Sequence, residues 1–235
     1  AGTTSSISGG SITPSSVSID TTSGFGIYKW TGTGSTGTIA HGLGAVPKFM
    51  FIKNLSSAES WRVYHHSLGN ATSLKLNTSD ATFSDTGAFN STTPTSTLFT
   101  VGDSDSTNKS GDSIVAYVFV EKTGYSKFGE YRGNASNDGA FVYTGFRPEF
   151  IIVKPKTTAD NFVVFDNKRL GYNPDNNFLY ANGTNSENDA DILDIVSNGF
   201  KMTNSGNTSN RDEEFIYMAF GQSLVGSNNV PCTAR

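Results

Sequence analysis

The sequence predicts an all-β protein built from two tandem, jelly-roll-like β-sandwich domains, and three observations carry that expectation. Aromatic residues make up 12% of the chain and charged residues only 16%, a balance that suits strands with one buried and one wet face. Short apolar runs at residues 49–52 and 150–153 are bounded by Pro and Lys, with turn-forming Gly, Ser, Asn and Asp clusters between runs. Several sequence blocks also recur in one order at a spacing of about 100 residues, a domain-sized period.

The repeat is legible residue by residue. Gly24-Phe25-Gly26-Ile27-Tyr28 is matched by Lys127-Phe128-Gly129-Glu130-Tyr131, the Phe residues lying 103 apart. Gly-rich turns follow at Gly32-Thr33-Gly34 and Gly133-Asn134-Ala135. Pro47 and Pro148, 101 apart, precede the apolar runs; a residue without an N–H suits the first position of a strand. Trp61-Arg62-Val63-Tyr64 matches Phe162-Val163-Val164-Phe165, and the apolar strand at 114–119 matches that at 215–220. The expected organisation is a Ser/Thr-rich linker or edge strand over residues 1–22, a first sandwich over 23–124 and a second over 125–235. Each sandwich is expected to hold seven to nine short strands. Residues 189–196 alone have a pattern that can make one or two helical turns.

Composition also excludes partners. The net charge is -4 and the 17 Lys and Arg residues are scattered, so no basic patch is available for nucleic acid. No apolar stretch approaches the roughly 20 residues of a membrane span. Residues 1–22 lack the basic start and apolar core of a signal peptide. The chain opens on Ala1 rather than Met, as a fragment or a processed form does. A single cysteine, Cys232, cannot form an internal disulfide.

Candidate chemistry is sparse. His65 and His66 are neighbours whose side chains point to opposite faces of a strand, so they cannot chelate one ion together; His41 with one of them makes only two ligands. Acidic loops carry Asp103 and Asp105, then Asp189, Asp191 and Asp194, then Asp212, Glu213 and Glu214. Their polar surroundings do not suit a raised-pKa catalytic acid. Loop oxygens suit a hard cation, which makes Asp103, Asp105, Asp189 and Asp191 the candidate Ca²⁺ ligands. No nucleophile elbow or phosphate loop appears; no catalytic residue and no cofactor other than Ca²⁺ is expected. Trp30, Tyr64, Tyr143 and Tyr172 are the aromatics placed to stack on sugar rings, with His41 and His65 alongside as ligand-binding candidates.

The strings Ile39-Ala40-His41-Gly42-Leu43-Gly44-Ala45-Val46-Pro47-Lys48 and Trp61-Arg62-Val63-Tyr64-His65-His66-Ser67-Leu68-Gly69 resemble a repeat of large marine bacteriophage proteins of tail-fibre type. The resemblance continues through Gly124-Tyr125-Ser126-Lys127-Phe128-Gly129 and Asn198-Gly199-Phe200-Lys201 and covers roughly residues 10–235. It implies a virion surface protein, the C-terminal part of a tail fibre or appendage that binds a glycan or protein of the host surface. A head fibre, capsid decoration or appendage scaffold without ligand is the second implication, and a polysaccharide depolymerase the third. A homo-oligomer, most naturally a trimer, is expected alongside other virion proteins, because repeating a weak site around a closed axis raises avidity and the apolar tail residues Leu224, Val225 and Val230 can pack on a partner chain. The second copy departs from the pattern in lacking the His-Gly-Leu-Gly turn.

Overall fold

The computed structural model describes residues 6–169, 171–173, 175–206 and 208–222. The chain divides into two compact units: Ala1–Asn77 with Thr82–Glu121, and Thr78–Ala81 with Lys122–Arg235.

In the first unit the strands are β1 (Ser16–Asp20), β2 (Phe25–Thr31), β3 (Gly37–Ala40), β4 (Phe49–Asn54), β5 (Arg62–His65), β6 (Thr72–Lys75), β7 (Phe83–Ser84), β8 (Leu98–Val101) and β9 (Ser113–Phe119). Two single-turn helices, α1 (Thr86–Phe89) and α2 (Asp105–Asn108), sit in the connections around β8. One antiparallel sheet runs β1-β2-β9-β4-β5-β6-β7, and β3 pairs with β8 in a second. Period-two alternation sorts the side chains. Tyr28 and Trp30 of β2 point inward with Ile114, Ala116 and Val118 of β9, and meet Ile39, Phe99 and Val101 of the second sheet in one core. The segment at 16–20, left open by the sequence between linker and edge strand, is an edge strand on β2 of its own unit.

The second unit holds β10 (Ser126–Arg132), β11 (Phe141–Tyr143), β12 (Pro148–Pro155), β13 (Val163–Asp166), β14 (Gly171–Tyr172), β15 (Asp175–Asn176), β16 (Phe178–Tyr180), β17 (Leu193–Val196), β18 (Gly199–Met202) and β19 (Glu214–Gly221). Its main sheet is β10-β19-β12-β13-β16; β11-β18-β17 forms the second sheet and β14-β15 a small ribbon. Pro148 is the first residue of its strand, as its missing N–H favours. Residues 189–196 are not helical. Leu193 and Ile195 are buried at a spacing of two in β17, which pairs with β18. The tertiary sheet overrides a local pattern too short to hold a helix.

The two units share one plan. The order β2-β9-β4-β5 returns as β10-β19-β12-β13, and β3-β8 as β11-β18. Registers fix the correspondence: Phe25↔Phe119 becomes Ser126↔Phe220, and Trp30↔Ile114 becomes Tyr131↔Phe215. The offset is therefore 101 in this strand also, and the sequence alignment of Phe25 with Phe128 is two residues out of frame. A slip of two leaves every side chain on its own face, so hydrophobic pattern alone does not reveal it.

Candidate functional site

Four of the residues expected to meet a ligand are enclosed. Trp30 is buried, edge-on to Phe99, and its Nε1–H donates to Asn108 Oδ1 at 3.4 Å. Tyr64 packs edge-on against Phe89, and burial pushes its hydroxyl up to about 12. His41 is fully buried: Nδ1 accepts the Leu43 N–H at 3.2 Å and Nε2 lies 3.1 Å from Thr95 O. That pairing selects the neutral ring protonated at Nε2, and burial holds its pKa below the ordinary value. His65 is buried too, its Nδ1 accepting the Ser67 N–H at 3.1 Å; its ring stacks on His66, which opens a tight turn instead of continuing the strand, so the two side chains do not face opposite ways as expected. These four belong to core and turns. Alternation shows that a strand has two faces, but it does not say which one the second sheet covers.

Among the buried polar side chains that the sequence did not single out are two asparagines at equivalent positions, Asn108 at the end of α2 and Asn210 in a turn. Asn108 Nδ2 donates to Thr33 Oγ1, Ser35 O and Gly102 O, while its Oδ1 accepts the Thr33 N–H. Asn210 Nδ2 donates to Asn134 Oδ1, Ser136 O and Asn204 O, and its Oδ1 accepts the Asn134 N–H. Each clamps the turn after the first strand of its repeat to the loop before the last strand. Both lie in the turn clusters that precede the closing strand of each copy, a place that by itself does not separate a buried Asn from a solvated one.

The acidic loops do not converge. Asp103, Asp105, Asp189 and Asp191 are all exposed, and among the described residues no group of three or more His, Cys, Asp or Glu is placed to hold a metal. The one carboxyl there held above its ordinary range is Asp194, raised first by burial and then by Asp191. It stands opposite Lys201 in the β17–β18 ladder, and Lys201 Nζ is bonded to Asp138. Glu213 accepts from Thr157 Oγ1 at 2.5 Å and from the Thr158 N–H at 3.1 Å, and pairs with Arg211. Nearby, Lys154 is almost wholly buried, its Nζ 3.3 Å from Pro155 O and 5.5 Å from the Phe162 ring centre; burial pulls its pKa down to about 8.

Tyr143 alone among the proposed aromatics stands in solvent, 64% exposed; the side chain of Tyr172 lies outside the described residues, as does Cys232. Beside Tyr143 on the same face of β11 stands Phe141, 51% exposed, a residue the sequence reading passed over. The Phe141 ring covers Gly199, where a Cβ would come 3.2 Å from Cε2, and the Tyr143 ring reaches toward Gly145. The spacing of two in Phe141-Val142-Tyr143, with Val142 buried between, was the available signal. An open depression of about 400 Å³ also lies in this unit, lined by Glu149, Phe150, Asp166, Asn167 and Phe220.

Fold and surface thus define a tandem β-sandwich with buried polar clamps and, among the described residues, one exposed aromatic pair. The chain belongs to the family described as Domain of unknown function (DUF7483), whose model matches residues 1–223. No curated protein and no solved structure matches it. Among the described residues no helix is long and apolar enough to cross a membrane.

Proposed function

We propose that this chain is a bacteriophage virion surface protein, part of a tail fibre or similar appendage, which attaches to the host surface by binding and not by catalysis. The observation that carries the reading is the pair Phe141 and Tyr143, large aromatic rings held in solvent on a rigid strand. Exposed aromatics of this kind mark recognition surfaces. The resemblance of the tandem repeat to tail-fibre-type proteins supplies the virion context. The buried, hydrogen-bonded state of His41 and His65 and the solvated or ion-paired state of the acidic loops support binding over hydrolysis. We place the chain in a homotrimer, because repeating a weak site around an axis multiplies avidity by about 10²–10⁴. The apolar tail residues Leu224, Val225 and Val230, expected to pack on a partner chain, lie outside the described residues. Gold-labelled antibody against the purified chain, applied to intact phage of a genome that encodes it, tests the reading. Label at the tail tip or on its fibres is expected. Label confined to the capsid moves the protein to head decoration, and particles without label refute the virion reading.

A further inference from the structure

The second sheet of each unit has an outer edge, and the two edges are treated differently. In the first unit the chain covers β3 itself. The Ile12 N–H donates to Thr38 O at 2.9 Å, the Thr38 N–H donates to Ser11 Oγ at 2.9 Å, and the Ser11 N–H donates to Thr38 Oγ1 at 3.0 Å. Ile12 enters the core where Gly37 leaves room: a Cβ on Gly37 would lie 2.5 Å from Ile12 Cδ1. Gly10 passes so close that its own Cβ would lie 2.3 Å from Thr38 O. The edge of β3 is thus an acceptor for an extended peptide of small hydroxyl residues around one aliphatic side chain.

The corresponding strand of the second unit is β11. Ile39↔Phe99 and Thr38↔Thr100 in the first unit become Val142↔Phe200 and Phe141↔Lys201 in the second. Phe141 therefore occupies the place of Thr38, whose N–H and C=O both face outward, and Ala140 that of Gly37, so the room that Ile12 uses at β3 is filled by a methyl group at β11. Among the described residues no hydrogen bond reaches Phe141 or Tyr143 except through the ladder with β18. Native edges are normally blunted by short length, charge, proline or a bulge. The strand Phe141-Val142-Tyr143 is short, at three residues, but carries no charge or proline and is made of strong strand formers.

We propose that the outer edge of β11 is a docking site for an extended segment of another polypeptide, one built of small residues in which a Ser or Thr hydroxyl accepts the Phe141 N–H as Ser11 Oγ accepts that of Thr38, with an alanine-sized side chain against Ala140. Main-chain hydrogen bonds supply the affinity, and the rings of Phe141 and Tyr143 cover the incoming strand and select its side chains. A sugar would use the rings but leave the outward N–H and C=O of Phe141 without the partner that Thr38 has. This site stands on the geometry of the repeat and does not depend on the virion reading.

The test is a titration of the whole chain with a synthetic peptide of sequence Gly-Gly-Ser-Ala-Thr-Pro-Ser, followed by backbone amide shifts. Saturable shifts at Phe141, Tyr143 and Lys201 are expected. Binding should weaken at least tenfold in Tyr143→Lys, which leaves the backbone intact, and in Phe141→Pro, which removes an outward N–H. Replacing Ala by Ile in the peptide should weaken it as strongly, because the larger side chain meets the Ala140 methyl group. No shift at β11, shifts confined to β3, or a response of Phe141 and Tyr143 to neutral oligosaccharides but not to the peptide would overturn the proposal.

Discussion

Asn108, the last residue of α2, and Asn210 show how a single amide can tie one turn of the chain to another. Each is fully buried and spends both amide hydrogens and its carbonyl inside the protein. Removing the Asn108 side chain takes a partner from three backbone groups, of which Gly102 O is buried and the others are half-buried or exposed; a bond lost is worth about 1 kcal/mol and a buried group left unmet about 1–3 kcal/mol. Asn108→Ala is therefore expected to destabilise the first unit by roughly 3 kcal/mol, a fall in melting temperature of about 10–20 °C, and Asn210→Ala to do the same to the second; calorimetry on each variant measures both. Neither residue was legible as a centre, because an Asn in a polar turn cluster reads the same whether it faces water or the interior. Lys154 was hidden for a different reason, being a charge at a position where charges are rarely buried. Its folded pKa of about 8 lies below its ordinary 10.5. Between those values the unfolded chain holds a proton that the folded chain does not, so stability rises as pH rises through this window, by roughly 3 kcal/mol in all. Urea unfolding at pH 7.5, 9 and 10 should show the rise, and Lys154→Met should flatten it while being no less stable at pH 7.5.

Elements were more legible than the residues within them. The paired strands around Pro47 and Pro148 and the closing strands at 114–119 and 215–220 follow from apolar runs and turn chemistry. Their frame is a matter of packing. At the corresponding ladder positions the first unit pairs Tyr28 with Ala116, and the second pairs Gly129 with Tyr217. One tyrosine and one small residue fill the same slot from opposite strands; a Cβ on Gly129 would lie 2.8 Å from the Tyr217 hydroxyl. The exchange conserves core volume while erasing sequence similarity, which is how the alignment of this strand came to be shifted by two. Tyr28→Gly is expected to cost about 4 kcal/mol through the cavity it leaves. Adding Ala116→Tyr should recover at least half of that, since the ring would then enter from β9 as Tyr217 does from β19. Chemical denaturation of both single variants and the double variant gives the coupling directly; additive losses would show that the two slots are not equivalent.

At the scale of the molecule, the tandem all-β organisation was written in the repeat, and the division falls at Lys122, close to the Gly124-Tyr125-Ser126 turn. The candidate site was only half legible. Tyr143 was named from its type, but Trp30 and Tyr64 were named on the same grounds and lie in the core, because aromatic residues of these strands look alike until the second sheet covers one face. The reading of an oligomer predicts a trimer of the 25.0 kDa chain at micromolar concentration by native mass spectrometry; a clean monomer would remove avidity from the account. The most direct test of attachment through β11 is the binding of fluorescently labelled protein to intact cells across a panel of marine bacterial isolates, with Tyr143→Lys measured in parallel. The account predicts saturable binding to a subset of isolates and at least a tenfold loss in the variant. Equal binding by the two proteins, or binding to none of the isolates, would contradict it.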